Sequence, residues 1–220
     1  CDEMAPRFIK LWEKLHISND DFISFIDYAP SILSLVGIKP PDFIQGKAQF
    51  GPFKVKEKST FIFATSDRFD EKVDRLRAVR HGKFKYIRNF NPEISNAIPV
   101  SYREQMPMMQ YLNKMWEAQK LKANAATWFK TPKPKEELYD LEQDPYELNN
   151  LSDKLELIDT LIFLRNRLDQ WILETKDLGE YPEKELISKL FPDGKPQILS
   201  PLLNKVEAGK SRLNHPHKGI

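Results

Sequence analysis

The sequence predicts an α+β fold, a small antiparallel sheet of about four strands packed by helices. Three observations carry this. Apolar, β-branched and aromatic runs occur at residues 60–65 and on both sides of His81-Gly82. A short strand pattern returns at residues 138–141, well after the others. An amphipathic stretch then runs from Asp153 to Glu174, long enough for a helix of about five turns to cover one sheet face.

The chain has 220 residues, 40% of them hydrophobic and 30% charged, which describes a globular protein able to bury a core. Lys and Arg number 34 against 32 acidic residues, so a net charge of +2 excludes a general attraction to nucleic acid or anionic membranes. No apolar run is long enough to span a bilayer. The single cysteine, Cys1, excludes an intrachain disulfide and a Cys/His zinc pattern. The opening residues carry no basic segment followed by an apolar one, so no signal peptide is read, and Met4 is not first: the chain reads as a fragment or a processed product.

Element by element, residues 8–16 have the spacing of a short amphipathic helix. A second helix is expected over residues 28–36, with Asp27 as its cap, Pro30 in the first turn and Gly37 just past its end. Residues 38–58 read as a polar linker, and residues 66–74 as a charged loop after the first strand. His81-Gly82 predicts a hairpin pairing Arg80 with Lys83, Val79 with Phe84, Arg77 with Tyr86 and Leu76 with Ile87. Residues 107–122 read as a helix burying Met108, Met109, Leu112, Met115 and Trp116, and Met106 is also read as core filler. Asp144-Pro145 opens a turn. Asp153 and Glu156 suggest a capping box for the last long helix, whose stripe is Leu155, Ile158, Leu161, Ile162, Leu168, Trp171 and Ile172. Residues 176–220 read as an irregular tail.

Three stretches in order resemble one family. Ser24-Phe25-Ile26-Asp27-Tyr28-Ala29-Pro30-Ser31-Ile32-Leu33 with Val36-Gly37-Ile38 is similar to a late segment of the sulfatase catalytic domain. Phe61-Ile62-Phe63-Ala64 through Asp67-Arg68-Phe69-Asp70-Glu71, then Arg77-Ala78-Val79-Arg80 and Lys85-Tyr86-Ile87-Arg88-Asn89, resembles the C-terminal sheet of bacterial sulfatases. The most specific stretch, Glu137-Leu138-Tyr139-Asp140-Leu141-Glu142-Gln143-Asp144-Pro145-Tyr146-Glu147-Leu148-Asn149-Asn150-Leu151, resembles the family's closing strand and turn. The resemblance covers roughly residues 22–175 and implies the C-terminal subdomain of the alkaline-phosphatase-like sulfatase fold. On it, residues 1–58 are the end of the catalytic α/β domain plus a linker, and residues 59–175 the subdomain.

The resemblance also implies chemistry. Complete members hydrolyse sulfate esters or sulfamates, often on glycans, with a formylglycine made from a Cys-x-Pro/Ala-x-Arg motif beside a calcium ion. Cys1 lacks that motif, with Glu3 and Ala5 at the Pro/Ala and Arg positions, and the family's acidic metal segments have no counterpart here. The expectation is therefore that nucleophile and metal ligands are absent from this chain and belong to an N-terminal catalytic region. The chain's part is to shape the substrate cleft, with Asp67, Arg68, Asp70 and Arg77 as candidate contacts. Guanidinium forks suit sulfate or carboxylate groups, and the aspartates can accept from sugar hydroxyls. The competing expectation for these residues is ordinary loop salt bridges, or a cation–π stack of Arg77 on Tyr86. Two other functions stay open: a non-catalytic module binding anionic glycans, and an inactive truncated remnant. The family implies a periplasmic or extracellular address.

Overall fold

The computed structural model describes residues 21–192, and the chain divides into two compact units, Cys1–Thr175 and Lys176–Ile220. Cys1, the expected helix over residues 8–16 and the histidines near the C-terminus lie outside the described residues.

In the first unit, β1 (Phe61–Phe69), β2 (Lys72–His81), β3 (Phe84–Asn89) and β4 (Glu136–Asp140) form one antiparallel sheet in the order β1-β2-β3-β4. The expected α+β architecture holds. Side chains alternate along a strand, so pairing brings Phe63, Val79, Tyr86 and Leu138 into one row on one face. Helix α4 (Ile158–Thr175) covers that row with Leu161, Leu164 and Leu168, and Phe63 stacks on Trp171 at 4.8 Å. Each leucine removed from water contributes roughly 1.5–3 kcal/mol.

Several expectations need correction. The capping box at Asp153 and Glu156 does not form. A 3-10 turn, Leu155–Leu157, precedes α4, and its cap residue Lys154 makes no side-chain cap bond. That turn sets the phase of the helix. Leu164 is fully buried, whereas Leu155, Ile158 and Ile162 are exposed.

The β2–β3 register is two residues off the expected one: His81 pairs with Phe84, Arg80 with Lys85 and Val79 with Tyr86. The two-residue turn is therefore Gly82-Lys83, with Gly82 at φ 54°, a left-handed value that a glycine tolerates best. Arg77 pairs with Arg88 rather than Tyr86, and the guanidinium above the Tyr86 ring is that of Arg88. Residues 66–74 are not a loop either. They finish β1 and begin β2, and Asp70-Glu71 make the turn with Asp70 at φ 51°. No glycine marks this turn; aspartate accepts the left-handed conformation more readily than most residues.

The expected helix over residues 107–122 is two helices, α2 (Pro107–Glu117) and α3 (Ala123–Phe129). Met109 enters a small core with Ala97 and Phe129, with Leu112 packed against it. Met106, Met108 and Trp116 are exposed instead, because one turn of α2 can direct only one side at that core.

Helix α1 (Tyr28–Leu35) ends as expected: Gly37, at φ 79°, donates to Ser34 O, and Ile38 donates to Leu33 O. Asp27 does not cap it. Its carboxylate accepts from Ser24 N and, across the linker, from Lys47 N at 2.8 Å. Ser31 and Ser34 on the same side accept from Gln49 N and Phe53 N. The linker passes so close that a Cβ on Gly46 would lie 1.9 Å from Ile26 O. The buried side of α1 is thus its polar one.

In the second unit, which reads from sequence as irregular, the described residues include α5 (Glu183–Leu190), and Lys189 Nζ lies 3.9 Å from the Tyr181 ring centre. Among the described residues no helix is long and apolar enough to cross a membrane.

Candidate functional site

The β1–β2 hairpin concentrates the candidate residues. A register shift between Ser66 and Arg68 sets Asp67 of β1 opposite two residues of β2, Asp74 and Arg75, so the extra residue of the bulge is on β2. Arg77, only 1% exposed, holds that bulge: its guanidinium donates to Ser66 O at 3.0 Å, Leu76 O at 2.8 Å and Asp67 Oδ1 at 2.7 Å. Arg77 is therefore a buttress, and burial keeps it from direct contact with a ligand. Asp67 is fixed by one carboxylate oxygen, while its side chain stays 56% exposed. Arg68, opposite Val73 on the edge strand, and Asp70 in the turn are exposed as well. The structure thus brings Asp67 and Arg77 together and sets Arg68 and Asp70 beyond them toward the tip.

Sequence reasoning missed what steadies this tip. Glu71 accepts from Ser101 N at 2.7 Å and from Ser101 Oγ at 2.6 Å, and these bonds lower its carboxyl to about 2. Arg103 donates to Ile98 O and lies between the rings of Phe69 and Trp128, 5.2 and 5.1 Å from their centres. At the bulge, Asp74 and Lys133 form a buried ion pair at 2.5 Å. The partners are 59 positions apart, so only the fold reveals the pair. Lys133 between Pro132 and Pro134 is the one local hint.

Next to Arg77 on the sheet, a polar network joins β3, β4 and α4. Arg165 grips Glu136 through two bonds of 2.8 and 2.7 Å, Tyr86 donates to Glu136, and Arg88 pairs with Asp169. The Arg165 fork holds Glu136 below the ordinary carboxyl value, and burial together with the bond to Glu136 pushes the Tyr86 hydroxyl up to about 12. These groups are mutually satisfied and read as scaffold.

Calcium needs about six converging oxygen donors. Among the described residues no group of three or more His, Cys, Asp or Glu side chains is placed to hold a metal ion, so these residues do not fit a calcium centre.

The arrangement defines a class of part: a rigid sheet presenting one charged, exposed hairpin. Comparison supplies the family. No protein-family model matches the chain. An ulvan-active sulfatase of Formosa agariphila is 43% identical over 189 residues, covering 85% of this chain and 32% of the relative. The N-sulphoglucosamine sulphohydrolase of Homo sapiens is 23% identical over 208 residues, covering 87% of this chain and 40% of the relative. Among solved structures, a 2-O GAG sulfatase is 20% identical over 69% of this chain and 25% of its own, with a TM-score of 0.44. The chain is a homologue of the sulfatases and fits the C-terminal portion of one. It spans about a third of the length of these curated relatives.

Proposed function

We propose that this chain supplies the substrate-recognition side of a sulfatase hydrolysing sulfate esters or sulfamates on a sulfated glycan. The β1–β2 hairpin is the contact element. Arg68 takes an oxyanion, and Asp67 and Asp70 accept from sugar hydroxyls. Arg77 acts through Asp67 by fixing the bulge. The observation that carries the reading is the buried Arg77 guanidinium spent on holding an exposed aspartate, because an edge hairpin needs no buried cation merely to form. The curated relatives are named for ulvan and for N-sulphoglucosamine, which supports a sugar as the carrier of sulfate.

Residues 1–58 then belong to the end of the catalytic domain, and residues 59–175 form the subdomain. The nucleophile and calcium are supplied by residues other than those described. A polymeric sulfated substrate does not cross membranes, which favours work in the periplasm or outside the cell.

Calorimetric titration of the chain with sulfated oligosaccharides and their desulfated counterparts tests this. Binding of the sulfated members alone is expected, weakened about tenfold in Arg68→Ala, the scale of one charge-assisted contact. Equal affinity for both series, or an unchanged Arg68→Ala variant, contradicts the reading. No turnover of an aryl sulfate is expected from the chain itself, with or without calcium, and turnover abolished by changing Cys1 would overturn that assignment.

A further inference from the structure

A second site lies away from the hairpin. Where α2 ends and α3 begins, Trp116, Glu117, Gln119, Leu121 and Ala126 line a depression of about 470 Å³. That is within the ~300–1,000 Å³ of small-molecule sites. Trp116, 37% exposed, is held by stacking on Phe129 at 5.5 Å.

Two further observations point to a ligand. Gln119 occupies the left-handed position just past α2, at φ 55°, and the turn closes through Gln119 N to Trp116 O and Lys120 N to Met115 O. Glycine is the inexpensive residue there. Glutamine is strained by comparison and brings an amide to the depression. Charge is the other. Residues 114–130 contain four lysines against one acid, Glu117, an excess of three positive charges in a chain whose total is +2. Lys114, Lys120, Lys122 and Lys130 are exposed, and none forms an ion pair among the described residues.

We propose that this depression binds an anionic sugar chain, with one ring stacked against Trp116, its hydroxyls met by Gln119 and Glu117, and its sulfate or carboxylate groups met by the neighbouring lysines. An indole offers a flat apolar surface to the C–H face of a sugar, and amide and carboxylate groups match hydroxyls. Ammonium groups on flexible stems suit a repeating polyanion better than one fixed oxyanion. The ligand class is shared with the proposed function and in that respect rests on it, but the residues are different ones.

The test uses the full chain and a heparin-derived hexasaccharide, with its desulfated form and a DNA duplex as comparison probes. Lys120→Glu with Lys122→Glu, both exposed, is expected to melt as the parent does and to bind the sulfated probe about tenfold more weakly. Gln119→Gly is expected to melt no lower and still bind about threefold more weakly, which a purely structural turn would not show. Parent-like affinity in both variants overturns the proposal, as does equal affinity for the desulfated sugar. Equally tight DNA binding lost in the same variants would make this a general polyanion surface and also overturn it. Loss in Arg68→Ala with these variants unaffected refutes this site and leaves the proposed function standing. Loss here with Arg68→Ala unaffected does the reverse.

Discussion

The two hairpins of the sheet share β2 and are built in opposite ways. The β2–β3 hairpin runs in unbroken register, turns at Gly82-Lys83 and places Val79 and Tyr86 under the leucines of α4. The β1–β2 hairpin is bulged at Asp67, turns at Asp70-Glu71 and is held by Arg77, Glu71 and the Asp74–Lys133 pair. Apolar burial organises the first. Charged contacts organise the outer half of the second, beyond the apolar part that Phe63 packs on Trp171, and their effect is to fix exposed charges in place. A protein that needed only a stable sheet would gain more from two hairpins of the first kind, since buried ion pairs are poor stabilisers compared with packed apolar groups.

The largest expected effect concerns the bulge of the charged hairpin. Lys133→Met leaves the Asp74 carboxylate buried without its cation and should cost about 3–5 kcal/mol. Asp74→Leu combined with Lys133→Met should recover most of that loss, and urea denaturation of both variants checks the difference. If the double variant is as unstable as the single one, charge satisfaction is not what the pair provides. A smaller effect is expected at the other hairpin. Gly82 has open space where a Cβ would go, but its φ is 54°, so Gly82→Ala should cost about 1 kcal/mol through backbone strain alone. The thermal midpoint should fall by a few degrees only, about 2–4 °C per kcal/mol for a unit of this size.

The subtlest contrast is with pH. Glu71, lowered from 4.5 to about 2 by its Ser101 bonds, contributes to folding above pH 4.5, and that contribution is lost as pH falls from 4.5 through about 2. Tyr86, raised from 10.0 to about 12, contributes below pH 10, and its share is lost as pH rises through about 12. The protection of the Ser101 amide, relative to the intrinsic exchange rate at each pH, should therefore fall in acid while that of Val79 is kept. Simultaneous loss at both amides would contradict separate control of the two hairpins.

The same contrast explains what the sequence disclosed. Alternating apolar residues revealed β1, β3 and β4, and helical spacing revealed α4, because burial leaves a periodic trace. The stripe of α4 was misphased at Leu155 and Leu164 because a 3-10 turn leaves no such trace. The charged half of the β1–β2 hairpin looked like a loop, since its strands are made by backbone pairing and by Arg77 reaching Ser66 and Asp67. Arg77 was legible as important, but its buried position was not, because its partners Ser66 and Asp67 reach it only through the bulged pairing. Glu71, Ser101 and Arg103 gave no local signal and Lys133 only its flanking prolines, because their partners arrive only through the fold. The family was legible because the stretch around residues 137–145 is distinctive, and homology to sulfatases across most of the chain agrees with it.

The decisive observation is where a sulfated oligosaccharide perturbs the backbone amides of the chain in solution. Shifts at residues 66–72, separate from any at residues 116–126, abolished by Arg68→Ala and retained in Gly82→Ala, are the predicted result. An unperturbed β1–β2 hairpin under saturating ligand, with the changes lying elsewhere on the sheet, would contradict the view that its charges exist to meet substrate.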